Sequence, residues 1–489
     1  MLFNSYIFIF AFLPLTWGLY WGLRRLGAFK WSLGLLILAS LIFYGYQNIG
    51  YAGLLMLSVA VNYTLHRLFL LVESRGAKAK CLLVAGLAYN FGILFYFKYL
   101  NFFLDNLNIL TGWELNALKV ALPLGISFYT FQQVSFVADC YEGRVKKYGL
   151  VEYALFVCFF PQLIAGPIVL HSEMVPQFGF KDRRPKAEDM YEGLEYFIIG
   201  LAKKLLIADV LGRGVDWGYD NILWLNSVSA LVLILLYTLQ IYFDFSGYCD
   251  MAIGLGRLFG FRICNNFDSP YRAASVSEFW KKWHITLTRF LTTYLYIPLG
   301  GNRKGKARTL VNVMIVFLLS GLWHGADWTF VAWGAMHGIM MVIERIIGRE
   351  RLKKLPAWFG FIYTFGFVNC AWVFFRADNF TDALNIFKRI IHGGKGYILP
   401  DMLSAMVNNS SSAVLEHWGI DLLADTGVAA VVCTLWILAA LYIACRHKNT
   451  REIVEMKLTG RLYTTVLGVG FIIALLTLGS VSSFLYFNF

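Results

Sequence analysis

Apolar stretches of about 20 residues recur from one end of the chain to the other, each long enough to cross a ~30 Å hydrocarbon core as a helix. The first, residues 7–23, ends on Arg24-Arg25 and lacks a basic leader and a small-residue cleavage site. It reads as a retained transmembrane helix, not a signal peptide. Basic residues sort the early loops: Arg24, Arg25 and Lys30 follow the first span, Arg75, Lys78 and Lys80 the third, and Arg144, Lys146 and Lys147 the fifth. The loop over 105–115 carries no Lys or Arg. Cytoplasmic loops collect Lys and Arg, so the N-terminus is placed outside.

Two segments break this alternation. Residues 151–170 are apolar but flanked by basic clusters on both sides, and two prolines and a glycine interrupt the run Phe159-Phe-Pro-Gln-Leu-Ile-Ala-Gly-Pro-Ile168. A re-entrant segment satisfies both facts, because irregular backbone survives at membrane depth only when buried in protein or lining a cavity. Residues 257–308 repeat the anomaly: basic throughout, yet aromatic and amphipathic over 279–299. Half-inserted helices entering from the cytoplasmic side are expected there. Further spans are predicted near 311–325, 326–348, 357–375, 427–445 and 462–484. The expected fold is an all-α polytopic membrane protein with about a dozen transmembrane helices plus re-entrant segments. It forms one membrane-embedded domain over residues 1–489. Residues 376–426 make a small extracytoplasmic insertion, with Asn408-Asn-Ser-Ser-Ser412 as a flexible tip.

Composition agrees: 58% of residues are hydrophobic, 17% aromatic and 15% charged, against roughly 25% charged in soluble domains. The net charge of +13 is explained by basic cytoplasmic loops, and no soluble basic domain exists to bind nucleic acid. The eight cysteines form no CxxC pair and mostly sit in apolar runs, so neither a disulfide nor a metal role is expected. No internal repeat is visible, which argues against an inverted-repeat transporter.

Two of the eight histidines each follow a tryptophan in a segment read as membrane-embedded: His284 after Trp283, and His324 after Trp323. Ionisable groups at bilayer depth are costly and mark function by default. His324 ends a short helix expected over 311–322, beside Gly325, where a substrate can approach closely. A neutral imidazole there is a candidate general base; the competing reading is a histidine that satisfies a backbone carbonyl. One helix over 279–297 would put Trp280 and Thr288 beside His284, the competing reading being an interfacial helix with snorkelling Lys281, Lys282 and Arg289. On an axis shared with His324, His337 would lie about 140° away, which favours a supporting role. His66, His171, His392, His417 and His447 lie in or beside loops and draw no special attention. Asp244 and Asp250, with Tyr242, Ser246 and Tyr248 nearby, sit at membrane level and must be paired or protonated; Arg289, Lys203 and Lys204 are the candidate partners. The segment from Leu122 to Gln132 and the motif around Pro161, Gln162, Gly166 and Pro167 can each break a helix toward a cavity. No serine elbow, HExxH, Walker A or dinucleotide fingerprint is present.

These pieces, taken in order, resemble the membrane-bound O-acyltransferases, and among them the bacterial membrane subunits of alginate O-acetylation. The resemblance is carried by Leu122-Pro-Leu-Gly-Ile-Ser-Phe128, Phe160-Pro-Gln-Leu-Ile-Ala-Gly-Pro167, Ile241-Tyr-Phe-Asp-Phe-Ser-Gly-Tyr248 and Asn266-Phe-Asp-Ser-Pro-Tyr271. It continues through Phe279-Trp-Lys-Lys-Trp-His-Ile-Thr-Leu-Thr-Arg289, Tyr296-Ile-Pro-Leu-Gly-Gly301, Gly321-Leu-Trp-His-Gly325 and Trp372-Val-Phe-Phe-Arg376. Thr286 and Thr288 stand where members often carry serine. The resemblance implies a helical barrel with a central tunnel whose cavities meet near His324, the expected catalytic histidine, and His284. Trp283, Trp323, Thr288, Asp244, Ser246, Tyr242, His337, Pro161 and Gln162 are expected as supporting or tunnel residues, and no metal is expected. It also implies acetyl-CoA as a cytoplasmic donor that is not tightly bound, with Lys281, Lys282, Arg303 and Lys304 placed to attract its phosphates.

The expected activity is an acetyl relay across the inner membrane to an extracellular or periplasmic polysaccharide, alginate first, with cellulose, peptidoglycan or another envelope polymer as alternatives. The expected partners are the bilayer, a periplasmic serine esterase-like acetyltransferase and the polysaccharide synthase or secretion complex. The insertion over 376–426 and the tail from Ser483 to Phe489 are plausible contact surfaces. A proton-coupled transporter of an acyl carrier, sensitive to Asp244 and Asp250, is the competing class, and a scaffold indifferent to His324→Ala is a third.

Overall fold

In a computed structural model, residues 1–118, 120–180, 184–352, 354–407, 426–478 and 484–485 are described. Among them every regular element is helical. Six helices are long and apolar enough to cross a membrane: Ile49–Phe69, Ala77–Thr111, Ser227–Leu258, Lys306–His324, Trp328–Ile347 and Ala357–Arg376. Phe29–Gly45, Ala430–Cys445 and Arg461–Leu476 are shorter apolar helices. Each of the five spans expected after residue 310 overlaps one of these nine over its described residues. Within the insertion, Phe380–His392 and Pro400–Val407 are helical. The expected tip, Asn408 to Ser412, lies outside the described residues.

The chain's internal contacts divide it into two compact units, Met1–Leu194 with Ala252–Cys264 and Thr292–Tyr294, and Glu195–Met251 with Asn265–Leu291 and Leu295–Phe489.

In the first unit the expected break over 151–170 is present. The Leu150–Cys158 helix ends at Phe159 (φ −53°, ψ 108°), and Phe160–Leu163 forms a single further turn. At 1.5 Å per residue the longer piece spans only about 13 Å, too little to cross the bilayer. Residues from Tyr153 to Val169 are buried. The freed Phe160 N–H donates to Ser40 Oγ at 3.1 Å, which satisfies the break from within the protein. The other glycine-proline segment packs against it: Gly125, at φ +72°, opens the Ile126–Tyr141 helix, and a Cβ there would lie 2.7 Å from the Leu163 carbonyl oxygen. Ile49–Phe69 and Ala77–Leu94 are joined by a reciprocal amide pair, Asn62 and Asn90, at 3.1 and 2.7 Å, a polar lock suited to an apolar environment.

Two histidines read as loop residues are core residues here. His171 begins a helix but is buried, with Nε2 3.0 Å from Asp139 Oδ2 and Nδ1 3.0 Å from the Tyr148 hydroxyl. His66 is buried within Ile49–Phe69, where Nε2 accepts from the Tyr148 backbone N–H at 3.4 Å. Each lies between a leucine and a polar residue, Leu65 and Arg67 or Leu170 and Ser172, so only tertiary contacts reveal their burial.

In the second unit the Lys306–His324 and Trp328–Ile347 helices meet backbone to backbone. A Cβ on Gly321 would stand 2.3 Å from the Phe330 carbonyl oxygen, and one on Gly334 2.4 Å from that of Phe317. Small residues permit such approach, and dispersion over the whole seam rewards it. Gly321→Ala therefore forces the helices apart and costs about 1–3 kcal/mol. Gly366→Ala, where nothing lies within 4 Å of the added carbon, is neutral or stabilising by up to about 1 kcal/mol. Thermal unfolding of the two variants in detergent separates these outcomes.

Candidate active site

The segment around His284 is not the single helix expected over 279–297. Val276–Lys282 and Ile285–Leu291 are separate helices, and His284 between them adopts a left-handed φ of 45°. The break frees a backbone donor and a backbone acceptor, and the segment over 265–268 takes up both. Ile285 N–H donates to the Asn266 carbonyl at 3.0 Å, and Asp268 N–H donates to the Lys282 carbonyl at 2.9 Å. Asn266 Oδ1 accepts from Thr286 N–H at 3.1 Å and Thr286 Oγ1 at 3.0 Å, and lies 3.3 Å from His284 Nδ1. The left-handed turn swings Trp283 and His284 to different surroundings. Trp283 stacks on Phe279 (5.5 Å) and packs on Phe267 (5.0 Å) and Trp372 (5.1 Å). The His284 ring stands edge-on to Phe245 at 4.8 Å. Thr288 keeps the helical spacing expected of it, its N–H donating to the His284 carbonyl at 3.1 Å, while its hydroxyl donates to the Trp280 carbonyl across the break at 3.1 Å.

His324 closes the Lys306–His324 helix, where Gly325 turns the backbone to extended values. A Cβ on Gly325 would collide with the Phe330 ring at 2.1 Å, so the absent side chain leaves room for that ring beside the helix end. Ser320 O, 2.7 Å from His324 Nδ1, can only accept, so Nδ1 carries the hydrogen and the neutral ring holds its lone pair on Nε2. The ring is walled by Trp323 and Trp333 at 4.9 Å and Phe375 at 5.3 Å. The two imidazoles converge, with centroids 6.5 Å apart, 79° between planes, and exposures of 0% for His284 and 4% for His324. Trp323 borders both, 6.2 Å from His284.

His337 does not share an axis with His324, because the chain breaks at residues 325–327 and His337 lies on Trp328–Ile347. It takes a hydrogen bond from Trp280 Nε1 at 3.1 Å, and its ring is 4.9 Å from Trp333. It thus braces the tryptophan that walls His324. Glu344, on the same helix, accepts from the N–H groups of Val276 and Ser277 at 2.6 and 2.8 Å and anchors the start of the helix leading to His284.

The carboxylates are paired. Lys204 Nζ lies 2.6 Å from Asp244 and 2.8 Å from Asp209, and Lys203 lies 2.7 Å from Asp250, which also accepts from Thr450 Oγ1 at 2.6 Å. Of the three cations expected as partners, the two lysines serve. Asp244 also accepts from the Leu485 N–H at 3.0 Å, and Phe484 packs on Tyr248 at 4.7 Å. The two described residues of the C-terminal tail are therefore packed on their own chain. Tyr242 packs on Tyr271 at 5.3 Å, and Ser246 is buried. Pro161 and Gln162 belong to the first unit, where Gln162 Nε2 donates to the Phe156 carbonyl at 2.8 Å. Lys281 is exposed, Lys282 pairs with Glu278 at 2.7 Å, and Arg303 and Lys304 lie exposed before the Lys306–His324 helix. Asn266, Trp333, Phe245 and Phe375 were not among the expected site residues; Asn266, Phe245 and Phe375 lie within motifs that carry the resemblance, and Trp333 does not.

The sequence model of the MBOAT, membrane-bound O-acyltransferase family matches residues 25–377. The chain belongs to the membrane-bound O-acyltransferase family. The matched residues include both histidines and every aromatic wall named above. The chain is 38% identical to the peptidoglycan O-acetyltransferase of Helicobacter pylori, over 100% of this chain and 98% of that protein. It is 38% identical to the probable alginate O-acetylase AlgI of Azotobacter vinelandii, over 85% of this chain and 83% of that one. The teichoic acid D-alanyltransferase of Streptococcus thermophilus is more distant, at 28% identity over 48% of this chain and 62% of that protein. The protein is thus an O-acyltransferase of the membrane.

Because Asp244 is buried with Lys204, Lys204→Met leaves a carboxylate without its cation and costs about 3–5 kcal/mol. Lys204→Met combined with Asp244→Asn recovers most of that loss. Unfolding midpoints of the single and double variants in detergent measure the difference.

Proposed function

We propose that this O-acyltransferase passes acetyl groups from acetyl-CoA, on the cytoplasmic side of a bacterial inner membrane, toward a polysaccharide outside it. The observation that carries the reading is the pair of buried, converging imidazoles, His284 and His324, enclosed by Trp323, Trp333, Phe375 and Phe245. Acyl transfer to a hydroxyl needs a base of pKa near neutrality and a site from which water is excluded. His324 Nε2 takes the proton of the incoming hydroxyl, whose oxygen attacks the thioester carbonyl. The tetrahedral intermediate collapses with loss of the CoA thiolate, and the His324 imidazolium returns the proton to that sulfur. His284 positions a reactant beside it.

Lys281, Lys282, Arg303 and Lys304 are the cations assigned to the donor's phosphates; salt-dependent KM values for acetyl-CoA would follow. Beyond the six long helices, the shorter apolar helices and the terminal segments are assigned to a dozen-span barrel around a tunnel. The acceptor is a hydroxyl of a periplasmic esterase-like partner, which passes the acetyl group to the polymer. Alginate and peptidoglycan are both supported by relatives at 38% identity; the match to the peptidoglycan enzyme reaches both ends of the chain. Peptidoglycan is therefore the polymer to assay beside alginate.

A strain lacking the gene, complemented with wild type or with His324→Ala at equal membrane abundance, tests the reading. Ester-linked acetate on the secreted polymer and on muropeptides is measured by mass spectrometry. The expected result is loss of acetate by at least about 100-fold, the scale of general base catalysis, with unchanged polymer yield. Full acetylation by His324→Ala would remove the catalytic assignment and leave a scaffold.

A further inference from the structure

We propose that Asn266 is a positioning residue that holds His284 in its Nδ1–H tautomer, making Nε2 an acceptor for a reactant's O–H or N–H. This rests on the acyl-transfer reading above and assigns the chemistry of its second histidine. The backbone N–H of Thr286 can only donate, so the Asn266 atom 3.1 Å from it is the oxygen. The amide nitrogen is then the atom that donates to Cys249 Sγ at 3.5 Å. With an acceptor facing it at 3.3 Å, His284 Nδ1 carries the hydrogen, and the neutral ring presents a lone pair at Nε2. A neutral ring so fixed cannot donate to an oxyanion. His284 therefore orients a reactant by accepting from it, and works only when uncharged.

The same Oδ1 receives both the backbone and the hydroxyl of Thr286, and the Asn266 carbonyl takes Ile285 N–H. One residue thus fixes the left-handed turn and the tautomer together. On the elements packed against His284 the titratable groups are His324, 6.5 Å away ring to ring, Cys249, which faces Asn266, Asp268 on the 265–268 segment, and, on its own segment, Lys281, Arg289 and the Glu278-paired Lys282. On Ser227–Leu258, Asp244 and Asp250 are held by Lys204 and Lys203.

The test is thiol release from acetyl-CoA by membrane vesicles carrying the full chain, with its acceptor present, followed from pH 5 to 9 for wild type, Asn266→Asp, Asn266→Leu and His284→Ala. Asn266→Asp keeps the acceptor for Thr286 but sets a carboxylate against His284, favouring the imidazolium. Its acid limb moves to higher pH by about one unit. Asn266→Leu lowers kcat by about 100-fold. A profile for Asn266→Asp that superimposes on wild type, with His284→Ala inactive, overturns this inference and leaves the acyl-transfer reading standing. Wild-type turnover by His284→Ala instead removes the role of His284 itself.

Discussion

Every ionisable side chain and every interrupted helix that this chain withdraws from water must find its hydrogen-bond partner within the protein, because an unsatisfied polar group in an apolar medium costs several kcal/mol. That constraint organises the parts that matter. Ser40 answers the freed N–H at Phe160, Lys204 and Lys203 answer Asp244 and Asp250, and Glu344 caps the helix that begins at Val276. Asn266 does most, because the helix break at His284 leaves several donors in one place. A break that is fully satisfied is also rigid, and rigidity is what a site needs to hold reacting groups in register.

The same constraint fixes the tautomer of both histidines. Each has its Nδ1 engaged by an acceptor, Ser320 O for His324 and Asn266 Oδ1 for His284. Each therefore offers Nε2 to its surroundings. Aromatic rings supply the walls without competing for these hydrogen bonds, and the glycine seam at Gly321 and Gly334 brings Trp333 close enough to face His324. The family is one of O-acyltransferases, and O-acyl transfer needs a base, an oriented nucleophile and exclusion of water.

Much of this was legible in the sequence where hydropathy and helix breakers act locally. The spans after residue 305 and the interrupted segment around Pro161 could be read directly, and both Trp-His pairs stood out by their place in apolar segments. What could not be read depends on residues far apart in the chain. The run over 279–297 has a helical composition with no glycine at the break, so nothing local announces that His284 takes a positive φ; the cause is Asn266, from a different stretch. For the same reason His66 and His171 looked like loop residues, although Tyr148 and Asp139 bury them in a hydrogen-bonded cluster. The pairing of Asp244 with Lys204 was one of three options by sequence, and only tertiary contact selects among them.

The most direct measurement is a cryo-electron microscopy map of the full-length protein in nanodiscs with a non-transferable thioether analogue of acetyl-CoA. An acyl-transfer site at the histidine pair predicts that the analogue's carbonyl carbon lies about 3–4 Å from where a hydroxyl held by His324 Nε2 would sit, with its phosphates beside cations among Lys281, Lys282, Arg303 and Lys304. An analogue bound with its acetyl end remote from both imidazoles, or not bound at saturating concentration, would contradict the assignment of these histidines to the chemistry.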